Sequence, residues 1–213
     1  MTDSAKTLIA ALLDRSGSME TSKAATEDGW RELINEQRAL PGQCLMTLAQ
    51  FDTEYEIVYG PTPIVDVPDL VVEPRGMTAL LDAVGKFVTD VGADLASLPE
   101  DQRPGRVICL IMTDGMENAS REWTLDSVRA LVEQQRNQWQ WKFIFLGANM
   151  DAVAVAGTMG FSGDDSITYD DSNYESTVAV MASAREMVRR TRIGEDVAFT
   201  PDDRRGAVGR TTH

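Results

Sequence analysis

Five oxygen-bearing side chains stand where apolar segments of the 213-residue chain end. The stretch LLDRSGSME (12–20) carries Asp14, Ser16 and Ser18 at alternate positions, directly after TLIAALL. Thr78 follows Arg75-Gly76-Met77 where a helical pattern begins, and Asp114 closes RVICLIMTD (106–114). Two carboxylates with three neutral hydroxyls make an oxygen-only set of low charge. Such a set suits a hard divalent cation: Mg²⁺ is commonly held by one or two carboxylates, with hydroxyls, waters and a ligand completing an octahedron. With only two acids around it, the ion would keep net positive character and could accept one more carboxylate from a partner. Each piece alone has an ordinary reading, because Ser, Thr or Asp before a helix is the usual N-cap and short motifs arise by chance. Whether the five meet depends on the elements that carry them.

Those elements alternate between strand and helix. Residues 7–13, 106–113 and 141–147 are short, wholly apolar runs, the pattern of strands buried on both faces. QCLMTLAQF (43–51) and YEIVYG (55–60) are separated by three residues and predict a hairpin. Helical spacing covers about 18–40, ended by Pro41-Gly42, then 79–98 and 125–139. A short helix is expected after 149 with Asn149 as N-cap, and an edge strand over 166–169. Ser172 to Glu175 reads as a capping box opening a last helix. The Pro- and Val-rich segment 60–77 is expected to be a loop, and from about 196 to 213 no core-forming pattern remains. This order predicts an α/β three-layer sandwich with a mostly parallel sheet and one antiparallel edge strand. In such sheets ligands bind beyond the carboxyl ends of the strands, where Asp14 and Asp114 fall.

Bulk composition narrows the classes. At 43% hydrophobic and 25% charged the chain is globular and not disordered, and its length fits one domain. A net charge of −14 argues against nucleic acid or an anionic membrane as the main partner. From Arg185 onward seven Lys/Arg face five Asp/Glu, so a basic end sits on an acidic body. The one histidine is His213, the last residue, which disfavours Ser-His-Asp or Cys-His catalysis and His-ligated zinc. Cys44 and Cys109 lie in strand-like segments and read as buried free thiols. No leader-like or membrane-spanning pattern is visible, and a cytoplasmic location is the expectation.

Taken together, Asp14-Arg15-Ser16-Gly17-Ser18-Met19, Gly76-Met77-Thr78, and Asp114-Gly115 within LIMTDGMEN resemble the von Willebrand factor A (vWA) domain family, over roughly residues 5–190. The resemblance implies the family's Rossmann-like fold; the domain is expected over 1–195, and the patternless C-terminal tail over 196–213 is expected to be disordered. It implies a metal-ion-dependent adhesion site in which Ser16, Ser18 and Thr78 supply hydroxyls and Asp14 and Asp114 bind directly or through water. Gly17, Gly76 and Gly115 match the family's tight turns. The cofactor implied is Mg²⁺, with Mn²⁺ or Ca²⁺ as substitutes, and the partner is a protein presenting an Asp or Glu. On this reading the chain is a non-enzymatic binding module, an adaptor or accessory subunit of a larger assembly. Two other classes stay open: a Mg²⁺-dependent phosphoryl hydrolase using Asp14 as nucleophile, and a self-assembling component whose metal only stabilises. The first lacks the usual second aspartate two residues on, where Ser16 stands. Glu117, near Asp114, is a weaker candidate for a supporting role, and Asp164-Asp165 and Asp170-Asp171 read as solvated turns.

Overall fold

Strand-forming runs assemble into one six-stranded sheet in the structure, a computed structural model that describes residues 2–209. The strands are Asp3–Asp14 (β1), Gln43–Phe51 (β2), Tyr55–Pro63 (β3), Pro104–Thr113 (β4), Lys142–Ala148 (β5) and Ser166–Tyr169 (β6). They lie in the order β3-β2-β1-β4-β5-β6. All neighbours pair in parallel except β2 and β3, the hairpin, which makes β3 an antiparallel edge. The fold class expected from the sequence is the one observed.

Side chains on a strand alternate between faces, and here both faces are covered. Ile9, Ala11 and Leu13 of β1 pack with Trp30 and Leu33 of Lys23–Ala39 (α1). The same layer takes Val180, Ala184 and Val188 of Tyr174–Arg192 (α5). Leu8, Ala10 and Leu12 point the other way. They meet Val84, Phe87 and Val88 of Leu80–Ser97 (α2), Val128 and Val132 of Leu125–Trp139 (α3), and Ala152 and Ala156 of Ala152–Thr158 (α4). This double cover explains why the central strands read as unbroken apolar runs.

After β1 the chain moves to β2 on one side, and after β3 it crosses to β4 on the other. The carboxyl ends of β1 and β4 therefore lie side by side, in register at Leu13 and Met112, while their following loops diverge. That divergence opens the crevice in which α/β sheets bind ligands.

Several local expectations are corrected. The segment expected to be a tail contains a helix, Pro201–Ala207 (α6), capped by Thr200, whose Oγ1 accepts from Asp203 N–H. Val197, Phe199 and Ala207 are buried in the α1/α5 layer, and the Arg204 guanidinium donates to the carbonyls of Ser166 and Gly163. Four widely spaced anchors were too sparse to show as a periodic pattern. Residues 210–213, His213 included, lie outside the described residues. Asn149 does not cap α4; it takes a left-handed conformation (φ 53°) and Asp151 accepts from Ala154 N–H instead. Asn173, not Ser172, caps α5. The N-cap position of α2 is Ala79, so the capping alternative for Thr78 is not the one observed. Asp165 and Asp171 are buried, Asp165 against the Lys142 ammonium, where solvated turns were expected. The loop after β3 is irregular, yet it is fastened to α1 by the Arg38 guanidinium, which donates to Ile64 and Val67 carbonyls. Both cysteines are free and buried. Among the described residues no helix is long and apolar enough to cross a membrane.

Candidate metal centre

At the rim between β1 and β4 the structure brings the five singled-out residues together. Asp14 is fully buried; its Oδ1 accepts from Ser16 N–H at 2.6 Å and its Oδ2 from the Thr113 hydroxyl at 2.6 Å. The turn made by the first of these bonds aims Ser16 and Ser18 back toward the rim, with their hydroxyl oxygens 3.1 Å apart. Both hydroxyls donate to Asp114 Oδ1, Ser18 at 2.7 Å and Ser16 at 3.4 Å. Thr78 is buried beside them: a Cβ added at Gly115 would collide with Thr78 Oγ1. Gly115 therefore permits the β4 loop to lie against the loop that carries Thr78.

The electrostatics favour a cation. Burial pushes the Asp14 carboxyl above its ordinary range, only partly offset by the Thr113 and Ser16 hydrogen bonds. Burial likewise raises Asp114 to about 6, with the charges of Asp14 and Asp171 adding to it. Asp114 Oδ2 is buried and has no hydrogen-bond partner. A buried carboxylate oxygen left unpaired costs on the order of 1–3 kcal/mol or more. A divalent ion would both pair that oxygen and neutralise the two acids, so the donor set fits a hard cation. Among the described residues no three Asp, Glu, His or Cys side chains are grouped so that they could hold a metal ion. Any ion at this rim would rest on two carboxylates and on hydroxyls.

A second ring of residues fixes the ligand-bearing loops. Asp52, buried at the end of β2, accepts from the Arg15 and Arg75 guanidiniums at 2.9 and 2.8 Å. Burial opposes its ionisation, but Arg75, Glu54 N–H and Arg15 together hold its carboxyl below the ordinary range. Through this pair, and through Arg75 N–H donating to Arg15 O, the Thr78 loop is fastened to the Ser16 loop. Gly76 sits in a left-handed conformation (φ 70°), and a Cβ there would approach Thr53 Oγ1 to 3.0 Å. On the β4 side, Asn118 exchanges hydrogen bonds with the backbone of Thr78 at 3.0 Å each. Glu117 accepts from Leu81, Ala119 and Ser120 N–H, and Asp82 from Arg121, Glu122 and Trp123 N–H. These two carboxylates peg the whole loop after β4 to the start of α2.

Beneath the rim, the Tyr169 hydroxyl is buried without a partner; burial, then Asp114, Asp171 and Asp14, push its ionisation far upward. Sequence reasoning missed Thr113, Tyr169, Asp82 and Asn118. It also treated Asp52 as a turn residue, though an apolar strand ending in aspartate was the same signal that singled out Asp14.

The same architecture recurs in solved proteins. No sequence-family model matches the chain, and no curated protein sequence does. Among solved structures, it is similar to a von Willebrand factor type A protein from Catenulispora acidiphila, with TM-score 0.60 and 13% identity, over 90% of this chain and 44% of that one. It is similar to proximal thread matrix protein 1 from the mussel byssus with a zinc-occupied MIDAS motif, with TM-score 0.60 and 12% identity, over 85% and 45%. It is also similar to the vWF domain of the type V pili tip protein Mfa5 from Porphyromonas gingivalis, with TM-score 0.59 and 10% identity, over 94% and 99%. The chain spans less than half the length of the first two. At these identities the likeness is one of fold: the chain has the vWA fold.

Proposed function

We propose that the chain is a divalent-metal-dependent protein-binding module, which captures an Asp or Glu of a partner through an ion held by Asp14, Ser16, Ser18, Thr78 and Asp114. The observation that carries this reading is Asp114 Oδ2, a buried carboxylate oxygen without a partner, set among three hydroxyls and a second buried acid. When bound, Mg²⁺ supplies a positive centre to which a carboxylate can bind. Asp14 and Asp114 offset only two charges, and the hydroxyls add none, so a third carboxylate is attracted. Ser18 is exposed, which leaves the site open to a partner on that side. The fold neighbours support a vWA-type module, and one of them has a zinc-occupied MIDAS motif.

The module is proposed to be non-enzymatic and to act as an adaptor or accessory subunit in the cytoplasm. Asp14 as a phosphoryl-accepting nucleophile fits poorly: it is fully buried and both oxygens are engaged, by Ser16 N–H and by Thr113.

The test uses Mn²⁺ as the ion and water-proton relaxation as the readout. Adding a blocked Gly-Asp-Gly peptide to the Mn²⁺-loaded protein should displace bound water and lower the relaxation enhancement, while Gly-Asn-Gly should not. Equal responses to the two peptides would contradict carboxylate capture and leave a stabilising role for the metal. Absence of any Mn²⁺ enhancement would contradict the site itself.

A further inference from the structure

Two thioethers stand exposed at the rim. Met77 and Met116 are 52% and 68% exposed. Met77 immediately precedes Thr78, and Met116 is two residues past Asp114. Their loops are bonded to each other by the Asn118–Thr78 pair and by the contact of Gly115 with Thr78, so the two side chains belong to one flank of the site. Isolated exposed apolar residues need no explanation, but two large ones on adjoining segments of a ligand rim offer apolar area to whatever docks there. Methionine is unbranched and polarizable and adapts to irregular apolar partners.

The other flank has opposite character. Along the sheet, the site lies between the end of β2, where Asp52 anchors the 75–78 loop, and the ends of β5 and β6. At those ends Asn149 donates to Asp171 at 2.6 Å, and the Asp171 charge is felt by Asp114. Asp170 is half-buried and Asp151 exposed beside this pair. An incoming carboxylate is repelled by this side. A cation beside that carboxylate is attracted, and a large apolar residue on the opposite side finds Met77 and Met116.

Resting on the metal-site reading above, we propose that the partner is a chain segment with a particular arrangement around its metal-binding Asp or Glu. A large apolar residue on one side of the acid packs on Met77 and Met116. A Lys or Arg on the other side faces Asp151 and Asp170. Binding therefore selects segments by both neighbours of the acid, and the two flanks fix the direction in which the segment lies.

The probe is a displayed library of nine-residue peptides with a fixed central Asp, retained in Mg²⁺ and released by EDTA. The released pool should be enriched in Leu, Ile, Phe or Met on one side of the Asp and in Lys or Arg on the other. A peptide of that consensus should bind the Met77→Ser/Met116→Ser protein at least about tenfold more weakly, with its Mg²⁺ dependence intact. Asp151→Asn/Asp170→Asn should erase the preference for the basic residue and not that for the apolar one; Asn keeps the acceptor oxygen that Ala154 and Ser172 use. A released pool with no preference at the neighbouring positions, or variants that bind the consensus as wild type does, would overturn the proposal and leave the metal-site reading standing. An empty EDTA-released pool would overturn both.

Discussion

Replacing Asp114 by Asn should make the metal-free protein more stable at pH 7.5 and insensitive to Mg²⁺. In the absence of metal the buried Asp114 carboxyl is raised from 3.8 to about 6. The folded state therefore binds a proton more readily than the unfolded chain. This group's contribution to stability is fully present below about pH 4 and is lost as pH rises through about 6. A gap of about two units, at ~1.4 kcal/mol each, corresponds to about 3 kcal/mol lost from the metal-free protein at neutral pH. Asn removes that loss and keeps an oxygen for Ser18 to donate to, but it buries an amide nitrogen where Oδ2 now lacks a partner. Subtracting ~2 kcal/mol for the unpaired amide leaves a net gain of about 1 kcal/mol. For a domain of this size that is a rise of roughly 2–4 °C in Tm. The assay is thermal unfolding in EDTA at pH 7.5 and pH 4, then with Mg²⁺ added at pH 7.5. In EDTA the gain should turn into a small loss toward pH 4, where folded Asp114 is protonated and only the cost of the unpaired amide remains. Mg²⁺ at a hundred times its Kd should stabilise wild type by about 2.7 kcal/mol and the variant hardly at all. An Asn variant less stable than wild type in EDTA at pH 7.5, with the difference vanishing at pH 4, would refute the reasoning.

Other perturbations separate the parts of the site. Gly115→Ala places a methyl against Thr78 Oγ1, so Mg²⁺ affinity measured by calorimetry should fall while the circular-dichroism spectrum is retained. Tyr169→Phe removes a buried hydroxyl that lacks a partner and lies in the field of Asp114. Metal affinity should drop roughly tenfold with EDTA-state stability unchanged or higher, and the same comparison of affinity and Tm checks both. Asp82 is buried, which opposes ionisation, but the N–H groups of Arg121, Trp123 and Glu122 hold its pKa below the ordinary value. The stability it contributes is present above about pH 4 and lost as pH falls through its lowered pKa. Asp82→Asn should thus cost about 1–3 kcal/mol in urea unfolding at pH 7 and less under strong acid. Truncation after Glu195 removes Val197, Phe199 and the Arg204 bonds to Ser166 and Gly163, and should lower the urea midpoint with the metal site still formed.

The central sheet was legible because double burial forces unbroken apolar strands, and 43–51 and 125–139 have the bounds the pattern predicts. The five rim residues were legible because each ends or begins an element, where an isolated polar residue stands out against an apolar run. What held those loops was not. Asp82 and Glu117 act by accepting backbone N–H groups from residues some forty positions away or from their own loop, and backbone donors carry no sequence signal. Tyr169 reads as one more aromatic at a strand end, since nothing local says that the sheet places the end of β6, one strand beyond β5, within the field of Asp114. The same holds for α6, whose helix rests on a cap and a few anchors and not on a periodic face. The corrected caps at Asn149 and Asn173 differ by one or two residues from those expected, because several adjacent polar residues compete for each cap.

Isothermal titration of Mg²⁺ into wild type and into Asp14→Ala, Ser16→Ala, Ser18→Ala, Thr78→Ala and Asp114→Ala proteins tests the five-residue site most directly. One ion per chain in wild type, with binding weakened or lost in all five variants, is the result expected. No binding to wild type, or binding unchanged across the variants, would contradict the site.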